Sequence, residues 1–211
     1  MSETIAITGK SVKLFKGHYT SGRVVATDVD TRFLDSLCSE ALDVRAHNII
    51  SDALPEAAFD LVHTQWVLLH IAKRDQVLDR LIAALKPGGW LLLEESHAYG
   101  AVDPESVQGR GFAEFIGALE AGGFSASWGR RLPEVFSMRG LADVSAEAEV
   151  MIYRRGAPLA EFWRVSHQQI RDRLAADGRD APAIDELLPV FADPGTWFQG
   201  PVTMAAWGKR W

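Results

Sequence analysis

At 211 residues, 47% of them apolar and 24% charged, the chain is long enough to bury one substantial core and has the balance of a globular domain. A net charge of −6, with acids and bases interspersed, argues against the basic field on which nucleic-acid binding depends, and a single cysteine excludes an internal disulfide or a cysteine metal cluster. No apolar run approaches the ~20 residues of a membrane span, and Lys10, Lys13 and Lys16 interrupt any signal-peptide core, so a cytoplasmic enzyme or binding protein is expected.

In chain order, Thr4-Ile5-Ala6-Ile7-Thr8 is a short β-prone run. The glycines that follow, Gly9, Gly17 and Gly22, are scattered. Gly9-Lys10-Ser11 looks like the end of a phosphate-binding loop, but Thr4 stands where that loop needs its first glycine. Arg23 to Thr27 reads as an apolar strand running into the acid Asp28. Asp30 is placed to cap a helix carrying Phe33, Leu34 and Leu37. Val44 to Ile50 reads as a third strand and its exit, and 52–58 as a loop.

Phe59-Asp60-Leu61-Val62-His63 is too brief for a helix and suits a buried parallel strand. Val77, Leu78, Leu81, Ile82 and Leu85 then recur on one helical face, and Pro87-Gly88-Gly89 is expected to stop that helix. Trp90 to Leu93 gives a second buried strand that ends in the pair Glu94-Glu95. Strand, helix and strand make a right-handed crossover, so the fold class is α/β with a parallel sheet. Residues 99–128, rich in Gly, Ala and Phe, suit a short helix and loose connections. Trp128 to Phe136 is a helix closed by Arg139-Gly140-Leu141, and an alternating strand with one wet face starts at Val144. Pro158 to Asp177 is amphipathic, with Leu159, Phe162, Trp163, Ile170 and Leu174 on its apolar side. Pro182 to Phe191 adds a short helix, and Val202 to Gly208 a last strand.

The Phe59-Asp60-Leu61-Val62 strand, the helix after it, and Leu85-Lys86-Pro87-Gly88-Gly89 opening a strand resemble the second half of class I S-adenosylmethionine-dependent methyltransferases. The resemblance implies a Rossmann-like three-layer sandwich whose sheet is mostly parallel with an antiparallel last strand. It implies one domain over 1–211, with an atypical N-terminal segment at 1–22 and a helical insertion at 155–200. The family's strand order, 3-2-1-4-5-7-6, puts its first strand in the middle of the sheet. An empty slot there would leave two unpaired backbone edges, so Thr4–Thr8 is expected to fill it.

The same resemblance implies S-adenosyl-L-methionine as cofactor and assigns its contacts. Asp28 matches the strand-end acid that accepts hydrogen bonds from both ribose hydroxyls; read without the family, it simply ends a strand. Asn48 occupies the position of the acid that meets the adenine amino group, or else caps a turn. Val29 and Ile49, beside them, are further cofactor contacts, Gln65 faces the methionine portion, and Trp66 is a pocket wall or, read without the family, a core residue. His97 could take a proton from a substrate hydroxyl, or be a solvated loop histidine, so no catalytic residue is assigned and no metal is expected. The family's Gly-x-Gly-x-Gly loop is missing, which implies a shallow site and weak cofactor binding. Two alternatives stay open: a methyltransferase-like protein with crippled cofactor binding, and an NAD-dependent Rossmann oxidoreductase, which would need its own Gly-x-Gly-x-x-Gly turn. No Asn-Pro-Pro-Tyr follows the central strand, so a small molecule is the expected acceptor, with neither nucleic acid nor membrane as partner.

Overall fold

The computed structural model describes residues 3–7, 22–98 and 102–211. Readings that rest on Thr8, Gly9, Lys10, Ser11 and Gly17, including the crossover that follows the first strand, lie outside the described residues. The strands are β1 (Glu3–Ile7), β2 (Arg23–Asp28), β3 (Leu42–Ala46), β4 (Phe59–Gln65), β5 (Leu85–His97), β6 (Ala142–Arg154) and β7 (Trp197–Lys209). The helices are α1 (Arg74–Ala84), α2 (Val107–Glu120), α3 (Trp128–Met138), α4 (Pro158–Ala176) and α5 (Pro182–Leu187).

Among the described residues the strands form a seven-stranded sheet in the order β3-β2-β1-β4-β5-β7-β6. The short N-terminal strand fills the central slot. It pairs in parallel with β2 (Ile5 opposite Val25) and with β4 (Ile5 opposite Val62). Strand β7 is antiparallel to β6: a Cβ on Gly200 would lie against Met151 and Tyr153, and one on Gly208 against Leu141 and Val144. The beginning of β5 meets the end of β7, with Gly88 N–H donating to Arg210 O at 2.7 Å. Four successive residues of β2, Val24 to Thr27, are buried, so both faces of the sheet are covered there.

The chain divides into two compact units. The first comprises residues 1–95, 128–147 and 204–211 and contains the parallel strands, α1 and α3. Its core includes Val62, Leu78, Leu81, Leu91, Leu93 and Phe136, each 0% exposed. The second comprises residues 96–127 and 148–203 and contains α2, α4 and α5. There Phe112, Phe115, Trp163 and Phe191 surround His167, which is 1% exposed and donates from Nδ1 to Trp163 O at 2.7 Å. Burial pushes the His167 imidazole down to about 4, so the ring is neutral at physiological pH.

Several local expectations are corrected. The helix after Asp30 is a pair of 3-10 turns, Thr31–Phe33 and Asp35–Leu37, closed by i→i+3 bonds such as Leu34 N–H to Thr31 O at 2.7 Å. Asp30 caps the first of them through Arg32 N–H, at 3.2 Å. Strand β3 lies earlier than 44–50, because Leu42 is buried against β2 while the Asn48 side chain takes the Ile50 N–H and turns the backbone. Residues 107–120 make a full four-turn helix, capped by Ser106 Oγ accepting from Gly109 N–H at 3.0 Å. On α4, Phe162 is 45% exposed and stands outside the apolar side.

The Lys86–Gly89 turn also differs in kind. Helix α1 has already ended at Ala84, and Leu85 is the first residue of β5. Phe59 pairs with Leu85 and Leu61 with Trp90, so Lys86 to Gly89 bulge out of the ladder. Gly88 adopts φ 83°, a left-handed backbone that suits glycine. A Cβ on Gly89 would sit 3.0 Å from both Lys86 O and Phe59 O and 3.2 Å from Asp60 O. Gly89→Ala is therefore expected to cost about 1–3 kcal/mol, because backbone carbonyls must move to admit the methyl. A shifted urea midpoint at constant slope measures it; an unchanged midpoint would mean that the bulge relaxes freely.

Candidate functional site

The direction of the strands selects one edge. Strand β1 lies between β2 and β4, and the order of connections reverses there, which makes the carboxyl ends of these strands the place where an open α/β sheet binds ligands. Ile7, the last residue of β1, is level with Thr64 of β4, and Ala6 with Ala26 of β2. Asp28 and Gln65 therefore each stand one residue beyond the end of β1, on either side of it. They are separated by two strand spacings, roughly 10 Å. Thr27 and Thr64, one step earlier, are buried, and their hydroxyls have no hydrogen-bond partner among the described residues.

Asp28 Oδ1 accepts from Asp30 N–H at 3.1 Å, and Oδ2 has no bond among the described residues. A carboxylate with one oxygen holding its own loop and one oxygen spare suits a vicinal diol. Val29, next in sequence, is 70% exposed. The backbone of β3 is tied in by His47 N–H to Asp28 O at 2.9 Å. Asn48 and Ile49 follow in a tight turn. Asn48 Oδ1 accepts from Ile50 N–H at 2.9 Å, and Asp52 Oδ2 accepts from Asn48 N–H at 2.8 Å. The Asn48 amide keeps its NH₂ and one oxygen lone pair. Ile49 is buried, while Ile50 is 50% exposed.

Sequence reasoning missed what holds this turn. Arg80, on α1, donates from Nη2 to Ile49 O and, at 3.0 Å, to Ile50 O, and from Nη1 to Asp52 O at 3.1 Å. A planar five-donor fork can satisfy three carbonyls of one turn, and a lysine could not do so in that geometry. Its position on the polar side of an amphipathic helix gave no signal.

The other half of the edge is organised by Glu94 and Glu95, read above only as a strand-ending pair. Glu94 lies opposite Gln65 in the ladder. Its Oε1 meets His63 Nε2 at 2.8 Å, and its Oε2 accepts from Gln65 Nε2 at 3.0 Å. The His63 bond holds the Glu94 carboxyl below its ordinary range against an opposing push from burial. Gln65 is thereby oriented with its amide oxygen unspent on Glu94. Glu95, on the alternate face, is 0% exposed. Oε1 accepts from Val67 N–H at 3.3 Å and Leu68 N–H at 2.8 Å, and Oε2 from Leu69 N–H at 3.2 Å. These donors open a 3-10 turn, Leu68–His70, whose own N-cap, Val67, offers no side-chain acceptor. Between the two glutamates' partners sits Trp66, at φ 54°. A bulky residue in the left-handed region is strained, by about 1–3 kcal/mol, and such strain concentrates at ligand sites.

His97 ends β5 and is half-buried. Among the described residues no group of three or more His, Cys, Asp or Glu is arranged to hold a metal ion. No described helix is long and apolar enough to cross a membrane. The donor set fits S-adenosylmethionine: a strand-end carboxylate for a diol, exposed aliphatics beside a polar turn for a purine, and an oriented amide across β1 for the amino-acid end.

Residues 6–93 match the family described as Methyltransferase domain. A curated relative, methyltransferase str3 of the fungus Strobilurus tenacellus, is 31% identical over 108 residues, half of this chain. The chain spans only about 37% of that relative's length. Among solved structures, phosphoethanolamine N-methyltransferase 2 of Haemonchus contortus in complex with S-adenosyl-L-methionine superposes with a TM-score of 0.62 at 17% identity, over 100% of this chain and 49% of that one. The YcgJ protein of Bacillus subtilis superposes with a TM-score of 0.63 at 13% identity, over 100% of this chain and 92% of that one.

Proposed function

We propose that the chain, whose residues 6–93 match the Methyltransferase domain family, is a class I S-adenosylmethionine-dependent methyltransferase that binds the cofactor across the carboxyl ends of β2, β1 and β4 and methylates a small molecule. The observation that carries this reading is the register: Asp28 and Gln65 flank the end of the central strand at the point where the strand order reverses. Asp28 binds the ribose diol, Val29 and the Asn48-Ile49 turn take the adenine, and Gln65 takes the amino-acid end. When bound, the cofactor would supply an electrophilic methyl group carried on a positively charged sulfur.

The chain's own task is then to orient and to exclude water, which needs no nucleophile or metal. Glu94 fixes the Gln65 amide; Glu95 fixes the turn that follows it. The net charge of −6 and the lack of a basic stripe in the sequence favour a small acceptor over nucleic acid.

Asp28→Ala is expected to weaken S-adenosylhomocysteine binding by about 1.5–3 kcal/mol, the range for hydrogen bonds to a charged group, or roughly 10- to 150-fold. Titration calorimetry of both proteins, with NAD as a control ligand, measures it. Equal affinity in the variant would remove Asp28 from the ribose; binding of NAD in place of S-adenosylhomocysteine would replace the reading by a dehydrogenase one. Because residues 9–22 carry none of the family's closely spaced glycines, we expect the wild-type dissociation constant to be weaker than micromolar. A tighter value would mean that the backbone reaches the cofactor without them.

A further inference from the structure

We infer that Glu95 is a positioning residue: buried beside the sheet, it clamps the main chain of Val67 to Leu69 and so sets where the preceding Gln65 and Trp66 stand at the ligand edge. The inference rests on the proposed function for what that edge binds, but the clamp itself is argued from geometry alone. Trp66 leaves β4 in a left-handed backbone that its side chain disfavours. Something must hold it. On one side Trp66 N–H donates to Glu94 O at 2.8 Å, which continues the β4–β5 ladder one step past the strand. On the other, the next three N–H groups converge on the Glu95 carboxyl, at 3.3, 2.8 and 3.2 Å.

This is the cap of a helical turn supplied from another strand. The first N–H groups of a helix have no partners within it and are usually satisfied by a neighbouring Ser, Thr, Asp or Asn. The local sequence, Gln65-Trp66-Val67-Leu68-Leu69, offers no such cap. A glutamate 27 residues away from Leu68 does the work, buried at 0% exposure among Leu68, Leu69, Leu91 and Leu93, themselves at 2% or less. An apolar side chain of similar size would fill the same space. A carboxyl is used there because the backbone of the loop needs acceptors, and the loop begins at the residue that faces the ligand.

Reach and acceptor number then make distinct demands that substitutions can separate. Glutamine keeps Oε1 for Val67 and Leu68 and sacrifices only the Leu69 bond. Aspartate keeps both carboxyl oxygens but is one methylene short of the three N–H groups. If Glu95 positions the loop, Glu95→Gln should leave amide hydrogen exchange at Val67 and Leu68 near that of wild type, whereas Glu95→Asp should speed it at least tenfold at all three residues. Exchange needs no ligand, so it decides the clamp even where wild type binds S-adenosylhomocysteine too weakly to measure. Where binding is measurable, Glu95→Gln should stay within about threefold of the wild-type dissociation constant and Glu95→Asp should exceed it tenfold or more. A role in folding alone would instead lower both melting temperatures without changing the affinity of the folded protein. Aspartate matching wild type in exchange and affinity would overturn the inference. So would glutamine losing both, since charge, and not positioned acceptors, would then be what matters. Wild type failing to bind while aspartate still loosens 67–69 would leave the clamp standing and sink the cofactor reading alone.

Discussion

Proline at position 5 is expected to remove the cooperative folded state. Ile5 lies in the middle of β1, opposite Val25 on one side and Val62 on the other, in the centre of the sheet. Proline has no N–H to give to the ladder, and its ring pushes on the neighbouring strand, so central strands exclude it. The lost bond also strands a carbonyl on β2 or β4, where successive residues are buried and water cannot replace the donor. Together these should cost more than about 3 kcal/mol, a large part of the 5–15 kcal/mol that holds a typical domain together. Circular dichroism with urea unfolding reads the outcome. A transition of wild-type midpoint and slope in Ile5→Pro would mean that residues 3–7 contribute nothing to the sheet.

The second large effect is a dependence of stability on pH that Glu95 imposes. Burial pushes its carboxyl up to about 8; the N–H donors of Leu68, Leu69 and Val67, and Arg74 at longer range, pull the other way without cancelling that push. In the unfolded chain the same group titrates near 4.3. Between these values the folded state holds a proton that the unfolded state has lost. Raising the pH through this window therefore favours unfolding. The contribution is fully present below about pH 4, declines by up to about 1.4 kcal/mol per pH unit, and is exhausted above about pH 8. The upper bound for the whole window is about 5 kcal/mol.

Glutamine reproduces the protonated form and cannot titrate, so Glu95→Gln isolates the effect. Its stability relative to wild type should rise steadily from pH 5 to pH 8 and then level off. Urea unfolding at half-unit pH steps gives the difference curve. Parallel curves for the two proteins would show that Glu95 is ionised throughout, with the three N–H groups stabilising the carboxylate enough to offset its burial.

Much of this protein is legible along the chain. Short apolar runs, Phe59–His63 and Trp90–Leu93, and one-face spacing in Val77, Leu78 and Leu81 depend on neighbours close in sequence, and they fall within β4, β5 and α1, although β5 begins earlier, at Leu85. Even the central strand followed from a local rule joined to a general one: a β-prone run at 4–8, and a sheet whose middle cannot be left unpaired. The acid at the end of β2 was readable because Asp28 follows the short β-prone run Val24-Val25-Ala26-Thr27 and closes it.

What the tertiary structure alone decided is which groups far apart in sequence meet. Arg80 gathers the carbonyls of Ile49, Ile50 and Asp52 across some 30 residues. Glu94 and Glu95, adjacent in the chain, point to opposite faces of β5 and reach different partners, His63 and Gln65 on one, the Val67–Leu69 backbone on the other. Periodicity reports which side of an element is apolar and carries no information about a single polar atom meeting an unpaired backbone group. The 3-10 turns after Asp30 and the bulge at Gly88-Gly89 belong to the same class, since packing against a neighbouring strand chose between backbone states that the residues tolerate about equally well. Local composition thus determined the elements and their order, and which side chains meet at the carboxyl edge of the sheet was decided by hydrogen bonds between residues tens of positions apart, whose energies exist only once burial has excluded the competing water.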